Sequence, residues 1–282
     1  MPRYDLVVSD MDETFLGNDH RIPAANVDAL RRMRELGVLF VPSSGRPYAS
    51  IVENFAAAGR EVMEAIEGSY VISFNGGFIN RFGDPEPLST CSIDREAAED
   101  LYRRGIELGV CQHVYVPSGR IIALDADDAE RSRIASVAGV EFTSSADHPN
   151  LSSLIGDDPV VKMIYELDDF PGLRRLGDEI GPSMAPHGID VTYSSNRYLE
   201  LVRAGVDKGT GLARLADMLG IPLARTIAVG DSANDASMVH IAGLGAGVAN
   251  ATDDLRPACD VILASSNPDG ALAEILDRYL KE

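Results

Sequence analysis

Residues 4–14 read YDLVVSDMDET, and this stretch decides which kind of fold the chain adopts. The apolar run from Tyr4 to Ser9 ends in acidic residues, which is typical of a strand buried on both faces. Two more strands are predicted further on, at Val38–Val41 and Tyr70–Phe74, and each also ends in a polar turn. Because an amphipathic helix that opens at Pro23 separates the first two strands, the chain begins as strand, helix, strand.

The C-terminal part of the sequence repeats this alternation. The apolar spacing predicts a helix over 208–219, and the next apolar run predicts a strand at Thr226–Val229. The other predicted elements are helices from about Asn234 and over 272–279, and strands at Leu244–Val248 and Asp260–Leu263. Buried strands alternating with amphipathic helices favour an α/β fold, with a Rossmann-like, doubly wound parallel sheet.

The middle of the chain, residues 84–197, follows a different pattern. Runs at Cys111–Val116 and Arg120–Leu124, joined by a Pro-Ser-Gly turn, predict a β-hairpin. The other predicted elements are helices over 94–108, 127–137 and 168–180, and strands at Val160–Tyr165 and Ile189–Tyr193. At about 114 residues this stretch is too long for a loop and large enough for an inserted α+β domain. The core would then be discontinuous, comprising residues 1–83 and 198–282.

Length and charge limit the classes of partner. The 282 residues correspond to about two domains at ~150 residues each. Because 44 acidic residues face 25 basic ones, the net charge of −19 weighs against nucleic-acid or anionic-membrane partners. Three cysteines without CxxC spacing, no signal-like N-terminus and no apolar run near ~18 residues indicate a cytoplasmic protein. The sequence leaves the oligomeric state open.

Chemically active side chains follow the predicted strands. Because ligands of open α/β sheets bind beyond the carboxyl ends of the strands, the residues at these positions should converge. They are Asp10, Asp12, Ser44, Gly45, Arg46, Asn75, Gly76, Asp231, Asn234 and Asp235, with Lys208 at a nearby helix start. Carboxylates this close repel unless a cation joins them, and oxygen ligands favour Mg²⁺. The set suits phosphoryl transfer through a carboxylate nucleophile.

Four motifs in this order resemble those of the haloacid dehalogenase (HAD) superfamily. They are Asp10-x-Asp12-x-Thr14, Ser44-Gly45-Arg46, Lys208, and Gly230-Asp231-Ser232-x-Asn234-Asp235. Their spacing is similar to that of the Cof-type phosphatases, which carry a large α/β cap between the second and third motifs. The resemblance implies that residues 84–197 form the cap and that the rest of the chain forms the catalytic core.

The resemblance also implies a role for each matched residue. Asp10 would be the nucleophile, and Asp12 would be the general acid and base. Asp10, the Asp12 backbone carbonyl and Asp231 would bind Mg²⁺. Ser44 would hold the phosphoryl group, and Lys208 would neutralise Asp10 and the phosphate. The supporting residues would be Asn234 and Asp235, and candidate substrate contacts are Gly45, Arg46, Asn75 and Gly76.

The expected function is Mg²⁺-dependent hydrolysis of phosphomonoesters of small metabolites, most of all sugar phosphates, through an aspartyl-phosphate. A phosphomutase acting on hexose phosphates would share the same core motifs, and a phosphate-binding regulatory protein is the non-enzymatic alternative. Five cap residues could meet substrate: His113, Arg120, Lys162, His187 and Arg197. For each of them, the expected alternative is a position on the surface.

One residue departs from the pattern of the family. Cof-type members usually have glycine directly after the second aspartate, where this chain has Glu13. The extra carboxylate either selects against anionic leaving groups or points away from the site. The neighbouring Thr14 is expected to have a structural role, holding the turn after Asp12.

Overall fold

The structure, a computed structural model, describes residues 3–135, 137 and 139–281. Residues 1, 2 and 282, which the predicted core includes, and residues 136 and 138, which the predicted insert includes, lie outside the described residues. The chain forms two compact units, Met1–Thr90 with Val206–Glu282, and Cys91–Gly205.

Strands and helices occur in both units. The strands are β1 (Leu6–Asp10), β2 (Leu39–Ser43), β3 (Tyr70–Ser73), β4 (Phe78–Arg81), β5 (Pro87–Thr90), β6 (Cys111–Tyr115), β7 (Ile121–Leu124), β8 (Val140–Thr143), β9 (Lys162–Glu166), β10 (Ile189–Ser194), β11 (Tyr198–Arg203), β12 (Thr226–Gly230), β13 (Leu244–Gly247) and β14 (Val261–Ile262). The helices are α1 (Ala24–Glu35), α2 (Tyr48–Ala57), α3 (Arg60–Ile66), α4 (Arg95–Leu108), α5 (Asp128–Ile134), α6 (Leu151–Ile155), α7 (Phe170–Met184), α8 (Lys208–Leu219), α9 (Ala236–Ile241) and α10 (Ala271–Ile275). Within the described part of the chain, none of these helices has the length and apolarity needed to cross a lipid bilayer.

The first unit is built on an eight-stranded sheet in the order β14-β13-β12-β1-β2-β3-β4-β5. The strands from β14 to β3 are parallel, as the alternation of strands and helices predicts. Every residue of β1 is buried, because this strand lies between β12 and β2 at the centre of the sheet. The carboxyl ends of β1, β2, β3 and β12 therefore meet at one edge of the sheet.

The boundaries between the units differ from those predicted. The first unit continues past residue 83 because β4 and β5 extend its sheet as antiparallel strands. Residues 198–205 belong to the second unit because β11 pairs with both β10 and β9. The sequence of these short strands does not reveal which strands they pair with. Their pairing moves the two boundaries from 83/84 to 90/91 and from 197/198 to 205/206.

The second unit contains a six-stranded sheet in the order β10-β11-β9-β6-β7-β8. Its strands are antiparallel except for β7 and β8, and the predicted hairpin forms as β6 and β7. One face carries apolar side chains such as Val114, Tyr165 and Leu201, which share a core with residues of α4, α6 and α7. The surface position expected for His113 is wrong, since its side chain is buried on the other face beside Glu130.

Candidate active site

The turn that follows β1 separates the two aspartates of the first motif. Asp10 is the last residue of β1, and its side chain is almost completely buried. The chain then turns through Met11–Phe15, where Asp12 is extended and Glu13 adopts left-handed backbone angles, with φ of 56°. As a result, the carboxylates of Asp10 and Asp12 have different partners.

Lys208 is carried to the carboxyl edge of the sheet by the start of α8. Asp207 caps this helix, and its carboxylate accepts a hydrogen bond from the backbone N–H of Thr210 at 2.8 Å. Gly76 allows the helix start to approach, because a Cβ at this residue would collide with the carbonyl oxygen of Asp207. Gly209 does the same on the other side, where a Cβ would lie 2.7 Å from the backbone of Ser237.

The ammonium group of Lys208 lies between two buried carboxylates. Its Nζ donates to Oδ1 of Asp10 and, at 2.6 Å, to Oδ1 of Asp235. Burial by itself would lower the pKa of Lys208, but the charges of Asp10 and Asp235 outweigh burial and raise it. Lys208 is therefore charged, which accounts for a cation at a helix N-terminus that would otherwise oppose the helix dipole.

Asp231 occupies the corresponding position after β12. Its side chain is buried, and its Oδ1 accepts a hydrogen bond from the Thr14 hydroxyl at 2.9 Å. Burial raises the pKa of Asp231, and it raises the pKa of Asp10 to about 7, despite the attraction of Lys208. The site thus holds more negative charge than its ammonium group compensates.

The buried carboxylates form a set that fits a divalent cation. One oxygen from each of Asp10, Asp231 and Asp235 lies within 4.8 Å of the others. Both oxygens of Asp235 already accept protein hydrogen bonds, from Lys208 and from the backbone N–H groups of Asp231 and Ser232. Asp10 and Asp231 therefore offer an oxygen each, and an all-oxygen set of this kind suits Mg²⁺.

These groups border an open cleft of 530 Å³ in the first unit. The lining residues are Asp10, Asp12, Glu13, Ser44, Gly45, Arg46, Asn75, Asp231, Ser232, Asn234 and Thr252. Among the predicted substrate contacts, Gly76 is not in this lining, because it is buried against Asp207. Thr252 was missed by the sequence analysis: it reaches the cleft through the hydrogen bond of its N–H to the Asp231 carbonyl, at 2.7 Å. No motif or spacing in the sequence indicates that Thr252 lines the cleft.

The ends of β2 and β3 place a hydroxyl and an amide on the cleft. The Ser44 N–H donates to the carbonyl of Ile72 at 3.0 Å, and the Asn75 N–H donates to the carbonyl of Ser44 at 2.9 Å. Ser44 is buried, whereas Asn75 is exposed, with its side-chain amide close to Gly45. Asn234 is exposed on the cleft, and its side-chain oxygen accepts from the Ser232 hydroxyl at 2.9 Å.

Arg46 pairs with Asp12. Its Nε donates to Oδ2 of Asp12 at 2.8 Å, and a second guanidinium nitrogen donates to Oδ1. The third guanidinium nitrogen donates to the side-chain oxygen of Asn54 at 3.1 Å. His20 is also close to this carboxylate, with Nδ1 3.5 Å from Oδ1 of Asp12. Arg46, a candidate substrate contact, lines the cleft, and its guanidinium group donates to these protein acceptors.

Three of the candidate residues in the second unit are ion-paired. Arg120 pairs with Glu141 at 2.9 Å, Lys162 with Glu200 at 3.0 Å, and Arg197 with Asp168 at 3.0 Å. His187 lines a separate cavity of 490 Å³ within the second unit.

The fold and the cleft are those of a hydrolase with an aspartate at the end of its central strand. The chain belongs to the haloacid dehalogenase-like hydrolases, whose family it matches over residues 7–276. It is 29% identical to phosphatase YwpJ of Bacillus subtilis (strain 168), over 94% of this chain and 96% of the relative. The predicted resemblance to HAD phosphatases is confirmed by these matches.

Two further comparisons extend over nearly the whole chain. The 5-amino-6-(5-phospho-D-ribitylamino)uracil phosphatase YitU of Bacillus subtilis (strain 168) is 23% identical, over 98% of this chain and 96% of the relative. The solved structure of a haloacid dehalogenase-like hydrolase from Bacteroides thetaiotaomicron superimposes with a TM-score of 0.81 and 27% identity. That match covers 98% of this chain and 99% of the other. The chain is thus an enzyme of the phosphatase type.

Proposed function

We propose that the protein is a Mg²⁺-dependent phosphomonoester hydrolase that works through an aspartyl-phosphate on Asp10. One observation carries the proposal: Asp10 lies at the edge of the cleft with one oxygen bonded to buried Lys208 and the other available. A carboxylate in this position can act as a nucleophile, because the ammonium group balances charge as a phosphate approaches. The second unit, Cys91–Gly205, is proposed to be the cap that selects the substrate.

The reaction can be written for these residues in two steps. In the first, which begins with Asp12 protonated, Oδ2 of Asp10 bonds to phosphorus, the bond from phosphorus to the leaving oxygen breaks, and Asp12 gives that oxygen its proton. In the second, Asp12 takes a proton from water, whose oxygen attacks phosphorus and releases phosphate from Asp10. Lys208 stays protonated throughout and neutralises the charge beside Asp10.

The other lining residues bind rather than react. Ser44 and Asn75 offer a hydroxyl and an amide to the phosphoryl oxygens, and Asn234 is proposed to support the phosphate or the metal. Asp10, Asp231 and the backbone carbonyl of Asp12 would hold Mg²⁺, which would supply positive charge for the phosphoryl oxygens. Asp235 would keep Lys208 and the Asp231 turn in place.

The substrate is proposed to be a small phosphorylated metabolite, with sugar phosphates the first class to test, in the cytoplasm. The name of the relative YitU describes a substrate with a phosphorylated ribityl chain. A cleft of 530 Å³ accommodates a molecule of this size. Because carboxylates line the cleft, they would repel a phosphate unless a cation is bound first.

The test is hydrolysis of a panel of phosphate esters with and without Mg²⁺, by the wild type and by Asp10→Asn. We expect release of inorganic phosphate by the wild type with Mg²⁺ and no turnover in either other case. Turnover that survives removal of Mg²⁺ or of the Asp10 carboxylate would contradict the mechanism. An isomerised sugar phosphate, with no free phosphate, would identify a phosphomutase instead.

A further inference from the structure

We propose that Arg46 is a positioning residue that fixes the carboxylate of Asp12 for proton transfer to the leaving group. The proposal rests on the proposed function, because it concerns the general acid of that reaction. It assigns Arg46 to Asp12 and not to the substrate, where the sequence analysis had placed it.

The contact between Arg46 and Asp12 is bidentate. Nε of Arg46 lies 2.8 Å from Oδ2 of Asp12, and a second nitrogen of the same guanidinium group donates to Oδ1. Two parallel hydrogen bonds fix the plane of a carboxyl group as well as its position, which a single lysine ammonium does not do. Each oxygen keeps a second lone pair, so Asp12 can carry the proton that it transfers while both hydrogen bonds from Arg46 remain. Because Asp12 is on a turn and its side chain is 39% exposed, it needs such an external restraint.

Arg46 is itself held from several sides. Its remaining guanidinium nitrogen donates to Oδ1 of Asn54 on α2, at 3.1 Å. Its backbone N–H donates to the Ser44 hydroxyl at 3.2 Å, and its carbonyl accepts from the Phe74 N–H at 3.2 Å. The restraint on Asp12 is therefore transmitted from helix α2 and from the ends of two strands, which are rigid elements.

The pair also gives the two aspartates of the motif different partners. Asp10 is bonded to the buried ammonium of Lys208, whereas Asp12 is bonded to a guanidinium group at the cleft surface. Without Arg46, Oδ1 of Asp12 would still lie 3.5 Å from Nδ1 of His20, a single contact that does not fix the plane of the carboxyl group. Asp12 could then rotate away from the leaving oxygen, and misplacement of a catalytic group by about 1 Å can cost about a hundredfold in rate.

The experiment uses the dependence of the rate on the leaving group. An alkoxide leaving group, as in glycerol 3-phosphate, needs the proton from Asp12, whereas p-nitrophenolate leaves readily without it. The quantity to measure is kcat/KM with Mg²⁺, because it covers the steps up to departure of the leaving group. The variants are Arg46→Ala, Arg46→Lys, Asp12→Asn and the double variant Arg46→Ala/Asp12→Asn.

We expect Arg46→Ala to lower kcat/KM about a hundredfold for glycerol 3-phosphate and less than about tenfold for p-nitrophenyl phosphate. Arg46→Lys keeps the charge but loses the bidentate contact, so it should recover only part of the loss. When Asp12 is already replaced by Asn, adding Arg46→Ala should lower kcat/KM by less than about twofold, since the two residues act as a unit. Arg31→Ala removes two ion pairs elsewhere in the same unit, with Asp28 and Glu61, and is the matched control, expected to leave both rates unchanged.

The proposal would be wrong if Arg46→Ala lowered kcat/KM equally for the two esters and lowered it further in the Asp12→Asn background. That result would mean that Arg46 touches the phosphoryl group. If Arg46→Ala fails to fold by circular dichroism, Asn54→Ala tests the same restraint, and an unselective loss there would also overturn it. Failure of the proposed function is distinguishable, because it would appear as an inactive wild type or as an active Asp10→Asn variant.

Discussion

Lys208 and Asp235 form an ion pair in which both side chains are completely buried, with Nζ 2.6 Å from Oδ1. The second oxygen of Asp235 accepts from the backbone N–H groups of Asp231 and Ser232, at 3.0 and 3.2 Å. One carboxylate therefore holds both the ammonium group at the nucleophile and the turn that carries Asp231. Buried ions are expensive, so this arrangement is stable only while every partner is present.

We expect Asp235→Asn to destabilise the protein strongly. The variant loses the charge that faces Lys208 and one of the two acceptor oxygens, so an NH2 donor faces either Lys208 or the two backbone N–H groups. Breaking a buried pair costs about 3–5 kcal/mol. Urea denaturation followed by circular dichroism measures the change in the free energy of unfolding. Asp217→Asn, on the exposed side of α8, is the control and should change it by less than about 0.5 kcal/mol. Similar values for the two variants would contradict the assignment.

Addition of Mg²⁺ should raise the melting temperature of the wild type and should leave that of Asp231→Asn nearly unchanged. The physical reason is linkage: a cation that binds only the folded chain stabilises it by about 2.7 kcal/mol at a hundred times its Kd. Differential scanning calorimetry with and without Mg²⁺ gives the shift directly. Asp253→Asn removes a fully exposed carboxylate and should respond like the wild type. An unchanged response of Asp231→Asn would remove Asp231 from the ligand set.

Glu13→Gly should stabilise the first unit. Glu13 has a φ of 56°, and a left-handed conformation costs a residue with a side chain about 1–2 kcal/mol relative to glycine. The gain in the free energy of unfolding should be smaller, about 0.5–1 kcal/mol, because glycine also makes the unfolded chain more flexible. Glu13→Gln keeps the backbone cost and removes only the charge. A gain of the same size in Glu13→Gln would show that charge, and not backbone conformation, is responsible.

The second unit should lose stability in acid through His113. Burial lowers the pKa of His113 to about 4, against the attraction of Glu130 and with the help of Lys162. Between about pH 6.5 and 4 the unfolded chain binds a proton that the folded chain excludes, so the free energy of unfolding falls as pH falls. The total effect is at most about 3 kcal/mol.

The measurement is urea denaturation of the wild type and of His113→Asn at several pH values in this range. We expect the dependence on pH to be weaker in His113→Asn, because this variant has no imidazole to protonate. His240→Asn removes an exposed histidine and should follow the wild type. Identical pH profiles for all three proteins would show that His113 is protonated without unfolding.

Several features could be predicted because they depend on local patterns. The strand before Asp10, the helix that begins at Lys208 and the strand before Asp231 have clear apolar periodicity and clear ends. Since parallel strands place their carboxyl ends together, convergence of these residues followed from the strand order. Strands β4, β5, β8 and β11 were not predicted, because they are short, polar residues interrupt their apolar runs, and their strand propensity depends on the strands beside them.

The sequence by itself determined the family, the α/β core and the set of residues at the strand ends, because each is written in short motifs and in hydrophobic periodicity. The resemblance already implied that Lys208 faces Asp10, but only the tertiary structure decided the partners that the motifs leave open. It gave Arg46 to Asp12, and the Thr14 hydroxyl to Asp231. The physical reason is that electrostatic and hydrogen-bond partners are selected by distances of a few ångströms, and residues 217 positions apart in the chain acquire such distances only on folding.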